Sequence, residues 1–97
     1  MKTLKEIQTI LRSHIDELRD QYGITNLAVF GSVVRGEARE DSDVDILAVF
    51  DHPIGLIKLC SAENCLVKLL GVEVDLIPRD DVRPELKEGI YAEAVAV

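Results

Sequence analysis

Apolar residues at Leu4, Ile7, Leu11, Ile15, Leu18 and Tyr22 recur at steps of three and four, the spacing that lines one face of an α-helix. The pattern predicts one amphipathic helix over this stretch, stopped by Gly23, which can take the left-handed conformation at a helix end. Leu27–Phe30 is a short apolar run, predicted as a buried strand that breaks off at the turn signal Gly31-Ser32. Val33–Ala38 has room for one or two helical turns, limited by Gly36. Val44–Phe50 is predicted as the second strand, ended by Asp51-His52-Pro53. Leu56, Leu59, Cys60, Val67 and Leu70 place a second amphipathic helix over 55–70, closed by Gly71. Val72–Ile77 is predicted as the third strand, ended by Pro78. Pro84 suits the first turn of a last helix in which Leu86 and Ile90 share a face, although Gly89 weakens it. For Ala92–Val97, helix, strand and tail all stay open.

With no repeat and no linker, this order predicts a single domain over residues 1–97, an α/β (α+β) layer structure with a small sheet flanked by helices. Ninety-seven residues bury roughly 60–65% of their extended surface, so the 47% that are hydrophobic make one thin core. A two-domain enzyme that closes over a large substrate is excluded unless a partner chain supplies the other half. Eighteen Asp and Glu against eleven Lys and Arg leave a net charge of −7, and no two cations are adjacent. Direct nucleic-acid binding needs clustered cations and is not expected.

No apolar run approaches the roughly twenty residues that cross a bilayer, so no membrane association is expected. Met1–Glu6 lacks the apolar block of a signal peptide. Cys60 and Cys65 would point roughly 140° apart on a helix, which makes a disulfide implausible. No Cys/His cluster suggests zinc, and the two cysteines read as buried or half-buried hydrophobes of a reducing, cytoplasmic protein.

The chemistry is concentrated in Gly31-Ser32-Val33-Val34-Arg35-Gly36-Glu37-Ala38-Arg39-Glu40-Asp41-Ser42-Asp43-Val44-Asp45. Side chains alternate along a strand, so Asp43 and Asp45 project to one face, followed there by Leu47 and Val49. Val44, Ile46, Ala48 and Phe50 form an apolar face that must pack inward. Two carboxylates at the mouth of such a strand repel each other, and a divalent cation is the simplest remedy. In Val72-Glu73-Val74-Asp75-Leu76-Ile77, Asp75 interrupts another apolar run. If the two strands are neighbours, Asp75 completes a three-carboxylate cluster able to hold two metal ions for in-line displacement at phosphorus. The Gly31-Ser32 turn, leading from a strand into a helical turn, suits a polyphosphate, and Arg35 adds a cation. The plainer alternatives are a helix cap for Ser32 and surface pairing with Glu37 or Glu40 for Arg35.

Other motifs fail on the same residues. Gly36 is followed by Glu37-Ala38, not the Lys and Ser/Thr of a P-loop. An EF-hand beginning at Asp41 would put Ile46 where glycine is required and His52 where a bidentate Glu belongs. His14 and His52 read as a helix-surface residue and a turn residue, and neither completes a nucleophile–base pair.

Gly31-Ser32, ten residues, then Asp43-Val44-Asp45 resembles the signature of the polymerase-β-type nucleotidyltransferase superfamily. The string GSVVRGEAREDSDVDILAVFD is similar to minimal nucleotidyltransferases, the antitoxin halves of HEPN/MNT toxin–antitoxin pairs. Val33-Val34 departs from the pattern, since a polar or basic residue often stands there beside a small one. The resemblance implies a nucleotidyltransferase fold with a small mixed sheet. It implies that Asp43, Asp45 and Asp75 are catalytic and bind two Mg²⁺ ions, while Gly31, Ser32 and Arg35 hold the phosphates of ATP. It further implies transfer of AMP to a hydroxyl, a tyrosine of a HEPN-type ribonuclease toxin that is thereby silenced. An acidic surface would steer toward a basic partner. A non-catalytic, steric antitoxin remains the alternative, as does transfer to a small molecule or RNA; oligomeric state stays open.

Overall fold

The computed structural model describes residues 2–97. Met1, first residue of the stretch expected not to be a signal peptide, lies outside the described residues. The elements are α1 (Leu4–Ser13), α2 (Ile15–Tyr22), β1 (Ile24–Phe30), α3 (Ser32–Arg35), β2 (Val44–Phe50), α4 (Leu56–Leu70), β3 (Val74–Pro78), α5 (Pro84–Glu93) and β4 (Val95–Ala96), with a 3₁₀ turn over Arg79–Asp81. The four strands form one sheet in the order β3-β2-β1-β4. β2 and β3 run parallel across the α4 crossover, and the other two pairings are antiparallel. The expected small mixed sheet flanked by helices is the observed architecture.

The single first helix of the sequence reading is two. At His14 the backbone leaves helical geometry (φ −117°, ψ 7°) and its N–H bonds Leu11, not Ile10. The Ile10 carbonyl instead meets the Ser13 hydroxyl at 2.7 Å and His14 Nδ1 at 2.9 Å, so side chains displace the backbone bond. The apolar stripe survives the break, with Ile7, Leu11 and Leu18 buried. The start is fixed by a capping box in which Thr3 and Glu6 exchange backbone-to-side-chain bonds of 2.9 and 3.2 Å.

β1 begins three residues earlier than the apolar run suggests, at Ile24. Thr25 lies in a bulge against β2, its hydroxyl donating to the Val49 carbonyl at 3.2 Å, and this polar interruption hides the strand. β3 is shorter than expected at its start: Val72 and Glu73 precede it. On α4 the buried positions are Ala62, Leu66 and Leu70, while Leu56 is 75% and Ile57 88% exposed, so the stripe assigned to Leu56 was wrong at its beginning. Cys60 is exposed and Cys65 half-buried; both are free thiols, and the expectation of two sheltered cysteines fails for Cys60. Residues 92–97, left open above, finish α5 and then form β4, whose Val95 and Ala96 pair with Val29 and Ala28.

The sheet has two unequal faces. Leu27 and Val29 of β1, Val44, Ile46 and Ala48 of β2, and Val74 and Leu76 of β3 pack with α1, α2 and α4 in the main core. The opposite face carries a small second cluster, Phe30, Leu47 and Val82, covered by Ile90 and Tyr91 of α5. Leu47 is therefore buried on the face that also bears Asp45. β3 is an edge strand, and its Leu76 N–H is capped by the Glu63 carboxylate of α4 at 3.0 Å. Because Leu66 is fully buried in the main core, Leu66→Ala should lower unfolding free energy by about 2–5 kcal/mol. Urea denaturation would show this as a lower midpoint with an unchanged slope.

Candidate active site

β1 delivers Phe30 to a position opposite Asp45 of β2. The next residue, Gly31, has φ 80° and ψ −153°, a conformation essentially closed to residues with a Cβ. A Cβ at this point would also run into the Asp45 carboxylate. Glycine thus lets the chain turn away directly over Asp45. Ser32, half-buried, opens the single turn of α3, for which Gly31 rather than Ser32 is the capping residue. Gly36, at φ 73°, closes that turn.

On the other side of β2, Asp45 is the register partner of Asp75 in β3. Register partners in neighbouring strands stand about 4.8 Å apart and present side chains to the same face. The register is anchored by the Val44 N–H, which donates to the Glu73 carbonyl at 2.9 Å. Asp43 is exposed and stands immediately before β2, two residues ahead of Asp45. The Gly31 turn, Asp45 and Asp75 therefore form a row across three strand ends, with Asp43 just ahead of β2.

Two of these carboxyls are shifted by their surroundings. Burial pushes the Asp45 carboxyl above the usual carboxylate range, reinforced by repulsion from Asp75 and Asp43 and opposed by Arg35. Burial likewise raises Asp75, helped by Glu63 and Asp43. Among the described residues, no three His, Cys, Asp or Glu side chains gather closely enough to cage a metal ion on their own. Asp45 and Asp75, paired in register, are hard oxygen donors of the type that Mg²⁺ takes one or two of, with water and phosphate oxygens needed to complete its octahedron.

Arg35 is engaged twice. Its Nε donates to Glu37 Oε1 at 2.5 Å and its Nη1 to Glu93 Oε1 at 2.7 Å. The surface pairing with Glu37 considered from the sequence is thus present, together with a partner that the sequence did not reveal. Glu93 also accepts the Gly31 N–H at 2.8 Å through Oε2. The two donors, Arg35 first and then Gly31, hold the Glu93 carboxyl below its usual range. Glu93 and Glu63 were both missed. Each acts across the fold, Glu93 over 62 residues of sequence, and no local spacing signals either. His14 marks the α1–α2 break and His52 pairs with Asp51 at the far end of β2, so neither enters the site.

Comparison with known proteins shows the family and the fold. Residues 11–97 match the family model described as nucleotidyltransferase domain. The chain is 44% identical to the protein adenylyltransferase MntA of Thermococcus cleftensis, across 100% of this chain and 98% of that protein. A solved structure assigned as a minimal nucleotidyltransferase superposes with a TM-score of 0.80 at 35% identity, covering 99% of this chain and 97% of the other. The MNT antitoxin crystallised with a tri-AMPylated Shewanella oneidensis HEPN toxin shares the fold, with a TM-score of 0.68 at 20% identity, over 93% of this chain and 70% of that structure.

The crowded carboxylates cost stability when no cation is present. A raised folded-state pKa means that the native chain holds its protons more tightly than the unfolded chain, so stability falls as pH rises through that raised value. Asp45→Asn removes one of the repelling charges. In EDTA at pH 7.5 it should raise the melting temperature by about 2–5 °C, and the gain should shrink toward pH 4 as the aspartates of the parent chain take up protons. A calorimetric scan in which the substitution lowers stability at neutral pH would contradict the repulsion.

Proposed function

We infer the activity from one premise: the chain belongs to the nucleotidyltransferase family. The reaction is transfer of AMP from ATP to a tyrosine hydroxyl on a HEPN-type toxin, which the modification silences, and the chain is the antitoxin of that pair. The observation that carries this reading is the row formed by the Gly31 turn, Asp45 and its register partner Asp75 on one sheet face. The relative MntA is itself a protein adenylyltransferase, and a HEPN toxin bound to an MNT antitoxin of the same fold carries AMP groups.

Asp43 and Asp45 would hold the Mg²⁺ that accompanies ATP, and with Asp75 a second ion. When bound, the ions neutralise the phosphate charge and lower the barrier to displacement at phosphorus. Gly31 and Ser32 bring a backbone turn and a hydroxyl to the β- and γ-phosphates, and Arg35 contributes a fixed guanidinium. The acceptor oxygen forms a bond to the α-phosphorus while the bond from that phosphorus to the bridging oxygen breaks. Pyrophosphate leaves with the electron pair, and the acceptor's proton is released. The protein's part is mainly to position the reactants in line and to complement charge.

A toxin docked against the row of aspartates would supply the opposite wall of the site. The acidic surface, −7 overall, suits a basic, RNA-cleaving partner. Among the described residues no helix is long and apolar enough to cross a membrane. Free thiols and the need for ATP fit a cytoplasmic setting.

Incubation with α-labelled ATP, Mg²⁺ and the toxin should place label on the toxin and abolish its ribonuclease activity. Asp43→Asn with Asp45→Asn should cut labelling by at least about 100-fold in a chain that still folds and binds its partner. Full neutralisation of the toxin by that double variant would instead establish a steric antitoxin.

A further inference from the structure

We propose that Glu93 is a positioning residue for the phosphate-binding turn. Its carboxylate bridges the Gly31 N–H and the Arg35 guanidinium and so sets where both meet the nucleotide. The proposal rests on the reading of Gly31, Ser32 and Arg35 as the grip on the triphosphate.

The bridge uses both oxygens of one side chain, Oε2 at 2.8 Å from the Gly31 nitrogen and Oε1 at 2.7 Å from Arg35 Nη1. Neither partner is near Glu93 in sequence, so the contact exists only because the C-terminal segment is brought back onto the sheet. That segment is held on both sides of Glu93. Ahead of it, Ile90 and Tyr91 of α5 pack on Phe30, Leu47 and Val82. Behind it, β4 pairs with β1 just before the Gly31 turn, the Val97 N–H bonds the Leu27 carbonyl at 3.0 Å, and Gln8 holds the Ala96 carbonyl at 2.8 Å. The Glu93 side chain is only 21% exposed, less than half the exposure of Arg35.

Gly31 has no side chain to anchor it, so the groups around its backbone decide where the turn sits. The Asp45 carboxylate closes off the Cβ side of Gly31, and the Glu93 carboxylate takes its N–H. Arg35 is caught at two corners of its planar guanidinium, Nε by Glu37 and Nη1 by Glu93, which leaves the Nη2 side to be aimed at an incoming phosphate. Of the two carboxylates on Arg35, Glu37 lies only two residues away, in the loop that follows α3. Glu93 ties the turn to the body of the sheet.

The test compares Glu93→Ala and Glu93→Gln with the parent chain, using ATP affinity by titration calorimetry, KM for ATP and for the toxin, and melting temperature. Glutamine keeps an oxygen for the Gly31 N–H but loses the charge that holds Arg35. Alanine should weaken ATP binding and raise its KM by about 10–100-fold, glutamine by a smaller factor, with the KM for the toxin unchanged. Hydrogen exchange of the nucleotide-free chain should show a faster Gly31 amide in the alanine variant and near-parent protection in the glutamine variant. Parent-like ATP affinity in a folded alanine variant would overturn the proposal, as would equal losses for ATP and toxin that follow a fall in melting temperature. Tighter ATP binding would also overturn it, by making Glu93 a competitor of phosphate. Ser32→Ala and Arg35→Ala serve as reference. If they leave ATP affinity unchanged, the phosphate-grip reading itself is wrong, whereas losses there with none at Glu93 refute this proposal alone.

Discussion

Repulsion among carboxylates that the sheet forces together is the constraint around which this small protein is arranged. The apolar faces of β2 and β3 must lie against α4, and once Val44, Ile46, Val74 and Leu76 point inward, Asp45 and Asp75 have no choice but to point outward together. A shift of one residue in either strand would relieve the repulsion, but it would also put aspartate into the main core. The hydrophobic energy of that core therefore holds an unfavourable electrostatic arrangement in place, a pattern typical of functional sites.

The rest of the site follows from the need to bring further groups over that row. Gly31 has no side chain, so β1 can turn immediately above Asp45. The single turn of α3 then carries Arg35 to the acidic end of the sheet, where it offsets part of the charge on Asp45. α5 covers the otherwise bare face with Ile90 and Tyr91, and the Tyr91 hydroxyl donates to the Arg79 carbonyl at 2.6 Å. The same element that shields this second cluster thus ends beside the turn. Packing and site geometry are not separable in a chain of this length.

Much of this was legible because it follows from local rules. The alternation in Asp43-Val44-Asp45 and the lone aspartate in the third strand reveal which side chains share a face. Gly23, Gly36 and Gly71 mark helix ends, and all three adopt the left-handed conformation those ends require. What could not be read depends on competition or on distance. The break at His14 arises because Ser13 and His14 side chains take over a carbonyl that periodicity assigns to the backbone. The start of β1 is masked by the bulge at Thr25. The exposure of Leu56 and Ile57 cannot be inferred from their hydrophobicity, because it depends on what lies beneath the first turn of α4. Glu93 looks like any other acid of a C-terminal helix until β4 folds back beside β1.

One feature of the sheet bears on how copies of this chain can meet. β3 is an outer strand, yet its Leu76 N–H is already occupied by Glu63, and Pro78 at its end has no N–H to offer. A neighbouring molecule seeking to extend the sheet along that margin would have to displace a carboxylate and then find the ladder interrupted. Fibrillar stacking through β3 is accordingly disfavoured, and higher-order assembly must use helical or loop surfaces on that flank.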